Sequence, residues 1–256
     1  MTRLESFDGV SIAYGLAGPD DGGSAVLLHH GFASTAYVNW VRPGLVTALA
    51  DAGRRVVALD ARGHGAADHP HDPAAYAGAA MARDVTVLIG HLGLICIDMA
   101  GYSMGAIVAI KAALSDERVR SIFLGGVGTA QLAGRESVSA RAVAEALEAP
   151  DAAAVKDGAA RSFRHFAEAT KQDRLALAAV QRAGRALSLD EVGALRVPTV
   201  VVNGERDTLA EDPFSIAKLI EGARAFVVPG DHLSAVLSAE FRDILVSWAN
   251  LRGGAP

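Results

Sequence analysis

The chain has 256 residues, of which 51% are hydrophobic, and a net charge of −5. That is enough for one domain with a large core, and the acidic balance, without any long run of like charges, speaks against a nucleic-acid partner. The single cysteine, Cys96, excludes an internal disulfide. It lies in an apolar stretch and reads as a small buried hydrophobe. Together with the lack of a signal-peptide pattern, this predicts a cytoplasmic protein.

In chain order, residues 3–7 and 10–14 flank Asp8-Gly9, a two-residue turn signal that predicts a hairpin. Strand and helix patterns then alternate, as in a parallel α/β sheet. Strands are predicted at 25–29, 55–59, 94–102 and 119–124, and helices at 37–52, 76–92 and 106–114. Within 76–92, Met81, Val85, Leu88 and Leu92 fall at helical spacing. The most apolar window, 92–114, is interrupted by Asp98, Lys111 and glycines, and so reads as strand, turn and helix rather than as a membrane span. Residues 129–190 show no strand pattern but helical spacing at 138–147, 152–169 and 174–183. They read as a small helical insertion (129–190) into a core formed by 1–128 and 191–256. Strands at 199–202 and 225–228 and helices at 213–221 and 233–251 complete the core, and 253–256 reads as a frayed tail.

Gly101-Tyr102-Ser103-Met104-Gly105 sits between a predicted strand and a predicted helix. G-x-S-x-G in that context is a nucleophile elbow: a sharp turn holds the serine above the sheet, and its neighbours must be small. A serine hydroxyl needs a base, and the base a carboxylate. Both should lie on loops at the carboxyl ends of later strands. Asp207 follows the strand ending at Val202, with Glu205 and Asp212 as competitors on the same loop; Asp212 precedes Pro213 as a helix cap would. His232 follows the strand ending at Val228 and is the only histidine after the candidate acid. The expected oxyanion donors are the backbone N–H groups of Met104 and of Phe32, the latter in the loop His29-His30-Gly31-Phe32. His30 reads as a structural histidine shaping that loop.

The remaining candidates are weaker. His69-Pro70-His71-Asp72 lacks a full ligand set and reads as a solvent loop, so no metal is expected. Gly125-Gly126-Val127-Gly128 lacks dinucleotide-loop spacing and reads as flexible backbone bordering the pocket. Tyr102 flanks the nucleophile. Phe163, His165 and Phe166 can touch substrate from the insertion, although helical phenylalanines more often serve the core. Trp40 can line the acyl pocket or anchor its helix.

His30-Gly31, Asp60-Ala61-Arg62-Gly63-His64-Gly65, the elbow, Gly204-Glu205-Arg206-Asp207 and Gly230-Asp231-His232 occur in the order seen in the α/β-hydrolase superfamily, which the chain resembles over nearly its whole length. The resemblance implies a mostly parallel eight-stranded sheet flanked by helices, with 129–190 as a small helical lid that decides the substrate. It also implies that 60–65 is a structural turn; Ala67 stands where many relatives carry a serine. The expected activity is that of a serine hydrolase cleaving a small ester, thioester or lactone, without cofactor, as a monomer or homodimer acting on a small acyl substrate away from membranes. Two alternatives stay open: the same triad used for C–C bond hydrolysis, acyl transfer, perhydrolysis or cyanide elimination, and a ligand-binding, receptor-like protein. Dehalogenase and epoxide hydrolase relatives place aspartate where Ser103 stands.

Overall fold

The computed structural model describes residues 1–20, 23–134, 138–184, 187–210 and 212–251; the expected tail, 253–256, lies outside the described residues. Its strands are β1 (Thr2–Glu5), β2 (Ser11–Ala17), β3 (Ser24–His29), β4 (Val56–Asp60), β5 (Cys96–Tyr102), β6 (Val119–Gly125), β7 (Thr199–Gly204) and β8 (Arg224–Val228). They form one sheet in the order β1-β2-β4-β3-β5-β6-β7-β8. β1–β2 and β2–β4 pair antiparallel, and the remaining pairs are parallel. Gly9, at φ 86°, supplies the left-handed conformation of the first hairpin's turn.

The helices are α1 (Leu45–Asp51), α2 (Ala80–His91), α3 (Met104–Ser115), α4 (Thr129–Leu132), α5 (Ala140–Glu148), α6 (Gly158–Ala169), α7 (Arg174–Ala183), α8 (Leu189–Gly193), α9 (Pro213–Ala217) and α10 (Ala239–Leu251). The helices α4 to α8 lie between β6 and β7 in the chain. No helix among the described residues is long and apolar enough to cross a membrane.

Strand side chains alternate between faces, and the two faces feed two apolar layers. Ala25, Leu27, Val57 and Leu59 pack with residues of α2, α3, α5 and α7. Val26, Leu28, Val56 and Ala58 pack with Trp40, α1 and α10. Burial on both faces explains why the central strands read as continuous apolar runs rather than alternating ones. Asp98 breaks the run in β5. It is almost fully buried, meets Arg54 at 2.9 Å and accepts from the Ser121 hydroxyl at 2.7 Å, the pairing that a buried charge requires.

Several predicted helices are shorter. The helix predicted at 37–52 is a π-turn at Tyr37–Val41 followed by α1. Pro43 lacks an N–H, and Gly44 at φ 79° leaves helical space. Gly78, at φ 63°, likewise separates a 3-10 turn, Pro73–Tyr76, from α2. The start of α6 is set by Asp157, whose carboxylate accepts from the Ala159 and Ala160 amides. The helix predicted at 213–221 ends at Ala217, and the final helix starts at Ala239, after a 3-10 turn at Ala235–Leu237. Cys96 opens β5 at the sheet's end and is only half-buried, against the expectation of full burial.

Candidate active site

The elbow between β5 and α3 is set by close approach. A Cβ at Gly101 would lie 2.1 Å from the Gly105 carbonyl oxygen, and one at Gly105 would lie 2.2 Å from that of His29; only glycine fits either place. Ser103 sits between them at φ 53°, ψ −111°, a region that a non-glycine residue occupies only when its surroundings enforce it. Its amide donates to the Gly125 carbonyl at 2.7 Å. The hydroxyl stands at the N-terminus of α3.

His232 and Asp207 meet this serine from the loops after β8 and β7. His232 Nε2 lies 3.1 Å from Ser103 Oγ, and His232 Nδ1 lies 2.8 Å from Asp207 Oδ2. A carboxylate only accepts, so Nδ1 carries the proton and Nε2 accepts from the serine hydroxyl. The other Asp207 oxygen, Oδ1, accepts from the amides of Leu209 at 3.0 Å and Ala210 at 2.9 Å. The competing acids are occupied elsewhere: Glu205 pairs with Arg206 at the surface, and Asp212 caps α9 by accepting from Phe214 N–H at 3.1 Å. Asp231, beside His232, folds its own turn by accepting from the amides of Leu233 and Ser234. The Ser234 hydroxyl and amide hold its carboxyl below the usual carboxylate range.

The loop carrying Phe32 is tied down by buried polar contacts. His30 Nε2 accepts from Ala61 N–H at 3.1 Å, so His30 Nδ1 donates to the Gly31 carbonyl at 2.8 Å. Burial keeps His30 neutral by lowering its pKa. Gly31 N–H donates to Asn39 Oδ1 at 3.0 Å, and a Cβ on Gly31 would stand 3.4 Å from Ser103 Cβ. The backbone leading into Phe32 therefore lies against Ser103. Met104 is the first residue of α3, where an N–H has no intrahelical acceptor.

Among the described residues, a large and a small cavity reach Ser103 and His232. A cleft of about 830 Å³ includes Phe32, Asn39, Tyr102, Phe163 and Phe166 in its wall. A much smaller pocket of about 40 Å³ is lined by Phe32, Gln131, Val138, Val143, Phe163, Gln181 and Leu209 besides the serine and histidine. Tyr102, Phe163 and Phe166, the residues expected at a substrate pocket, thus line the cleft. Of the two readings for Trp40, the structure shows the anchoring one: it is fully buried in the apolar layer around α1 and α10 and lines neither cavity. His165 points to solvent near Glu168. His71 pairs with Asp173, and Asp72 caps the Pro73–Tyr76 turn. Gly125 to Gly128 is tightly packed rather than flexible. A Cβ at Gly126 would strike the Tyr102 ring at 2.7 Å, and one at Gly128 would lie 1.9 Å from the Ala210 carbonyl oxygen.

Sequence reasoning missed Gln131, Gln181 and Asn39. Gln131 Nε2 donates to Ser103 Oγ at 3.2 Å. A glutamine three residues past a glycine run belongs to no motif, and only the packing of α4 against the elbow reveals it.

A family model described as the α/β hydrolase fold matches residues 24–142. RutD of Variovorax paradoxus, named as a candidate carbamate hydrolase, is 32% identical over 254 residues, covering 88% of this chain and 91% of its own length. The mouse sn-1-specific diacylglycerol lipase ABHD11 is 36% identical over 124 residues, but this match spans only 38% of the lipase and 46% of this chain. A crystal structure of a hydrolase from Pseudomonas aeruginosa PA01 superposes with a TM-score of 0.76 at 28% identity, covering 99% of this chain and 98% of that one. With an eight-stranded sheet of this order and a full-length relative of this identity, the chain belongs to the α/β-hydrolase fold family.

Proposed function

We propose that the protein is a serine hydrolase of small esters, thioesters or lactones, acting through an acyl-enzyme. The observation that carries this reading is the unbroken hydrogen-bonded line from Asp207 Oδ2 through His232 to Ser103 Oγ, ending on a hydroxyl that two cavities reach. Ser103 Oγ attacks the acyl carbon while its proton passes to His232 Nε2. Asp207 holds the imidazole in the required tautomer and supports its charge. The oxyanion is received by the Met104 and Phe32 amides. His232 then gives the proton to the leaving oxygen or sulfur as that bond breaks. Water repeats the sequence on the acyl-enzyme, releasing the acid and restoring Ser103. This chemistry uses only the chain's own groups and water.

In this reading α4 to α8 act as the lid and set the substrate. A second reading, hydrolysis of a carbamate by the same serine, is favoured by the full-length similarity to RutD.

The test is hydrolysis of p-nitrophenyl acyl esters from short to long, with p-nitrophenyl carbamate alongside, by the wild type and Ser103→Ala. The expected result is turnover that falls at least about 10⁴-fold in the variant, with the acyl-enzyme mass trapped on Ser103. Turnover retained by Ser103→Ala would overturn the mechanism. A carbamate turned over faster than every acyl ester would favour the second reading.

A further inference from the structure

The small pocket beside Ser103 is lined by two buried amides. Gln131, in α4, is 9% exposed and Gln181, in α7, is 5% exposed. Gln131 Oε1 accepts from Gly128 N–H at 3.4 Å. A backbone N–H can only donate, so the carbonyl end of the amide must face Gly128 and the NH₂ end must face Ser103. Gly128 is itself locked against Ala210, and the neighbouring Val127 carbonyl accepts from Asn203 Nδ2 at 2.9 Å. The donor at Ser103 is thus preorganised from behind.

The two cavities divide the substrate. A leaving group must depart while the acyl group stays on Ser103, so it belongs in the open cleft of about 830 Å³. The smaller pocket of about 40 Å³, on whose wall Gln131 lies, takes the acyl chain. At about 40 Å³ against about 830 Å³, it has room for a much smaller group than the cleft does.

Acylation changes what Gln131 faces. In the free enzyme its N–H has the serine hydroxyl as acceptor. In the acyl-enzyme, Oγ is an ester oxygen whose lone pair is delocalised into the carbonyl, and it accepts poorly. A plain alkyl chain would leave this buried donor without a partner, which is unfavourable. An oxygen on the carbon next to the carbonyl, or the one beyond it, would offer Nε2 a new acceptor in place of Oγ. Among the described residues that line the pocket none is a lysine or arginine, which favours a neutral oxygen over a carboxylate.

We infer that the acyl subsite selects esters or thioesters of short hydroxy- or oxo-acids, with Gln131 Nε2 donating to the substituent oxygen. This rests on the serine-hydrolase reading above. The experiment measures kcat/KM for p-nitrophenyl lactate against p-nitrophenyl isobutyrate, in which a methyl replaces the hydroxyl. Wild type, Gln131→Met and Ser103→Ala are compared, each ratio being corrected by the ratio of the uncatalysed rates. The wild type is expected to prefer lactate by roughly tenfold, and Gln131→Met to bring the ratio near one, losing more on lactate than on isobutyrate. An equal loss on both esters, or an unchanged ratio, would overturn acyl recognition by Gln131. A second measurement needs no variant. Lengthening the acyl chain from propionyl to octanoyl should cut wild-type kcat/KM at least about a hundredfold, while lengthening the alcohol of a propionate ester from methyl to octyl should not. Octanoyl esters cleaved as fast as propionyl esters would overturn the division of the cavities. If no ester in either set is hydrolysed in a Ser103-dependent way, it is the serine-hydrolase reading that fails.

Discussion

The Tyr102 hydroxyl donates to the backbone carbonyl of His232 at 2.8 Å, tying the residue before Ser103 to the loop that carries the histidine hydrogen-bonded to that serine. The two rings lie 5.6 Å apart. Burial holds the Tyr102 phenol protonated, above the usual tyrosine range, with Asp207 and Asp231 adding to the effect. The bond therefore persists at every working pH.

Tyr102→Phe keeps the packing and removes this one bond. A buried hydrogen bond contributes about 1 kcal/mol, and looser placement of His232 should lower kcat about tenfold. Thermal melting and steady-state kinetics check both. An unchanged kcat would show that the loop is held without Tyr102.

Asp207→Asn should fail for a specific reason. The amides of Leu209 and Ala210 both donate to Oδ1, so the carboxamide oxygen must take that place. Its NH₂ then faces His232 Nδ1, which must accept and leave the ring proton on Nε2. That nitrogen can no longer receive the Ser103 proton. A loss of about 10⁴-fold in kcat with an unchanged melting temperature is expected. ¹⁵N NMR of the imidazole would report the switched tautomer, and an unswitched ring would refute the argument.

Acid should destabilise the fold through its buried histidines. His29, His30 and His64 are fully buried. Burial lowers His29 to about 3, and His30 beside it adds to the shift. His64 lies well below its ordinary value for the same leading reason. In the unfolded chain these groups titrate near 6.5. Between that value and the folded one, the unfolded state binds more protons, so stability is complete above about pH 6.5 and is lost as pH falls toward 3. His29 alone should remove about 1.4 kcal/mol by pH 5.5. Melting temperatures at pH 7.5 and 5.5 test this, and His29→Met should shrink the difference. An equal difference in the variant would remove His29 from the account.

Arg62 tests the structural reading of residues 60–65. It is fully buried and donates to both Asp84 oxygens, to Asp8 and to the Ala75 carbonyl. Arg62→Met leaves Asp84 buried without its cation. A loss of about 3–5 kcal/mol is expected from the urea midpoint. A loss under about 1 kcal/mol would mean that the turn holds without the network.

What the sequence by itself determined is local. The elbow is legible because a serine at φ 53° folds Gly101 onto the Gly105 carbonyl, a local approach that only glycine fits, while the glycine at 105 answers a second approach, to the His29 carbonyl of β3. The central strands are legible because burial on both faces leaves unbroken apolar runs, and the chain order of Ser103, Asp207 and His232 follows from the order of those strands. Tertiary structure decided the rest. Glu205, Asp207 and Asp212 are alike in sequence, and only the loop's fold turns one carboxylate toward His232. Trp40 offers a large apolar ring, and which side of the sheet its turn packs on put it in the core rather than the cleft. Gln131 reaches Ser103 from 28 residues away. Backbone sterics act between neighbours and leave a mark in sequence, whereas contacts between distant elements depend on packing that no local pattern encodes.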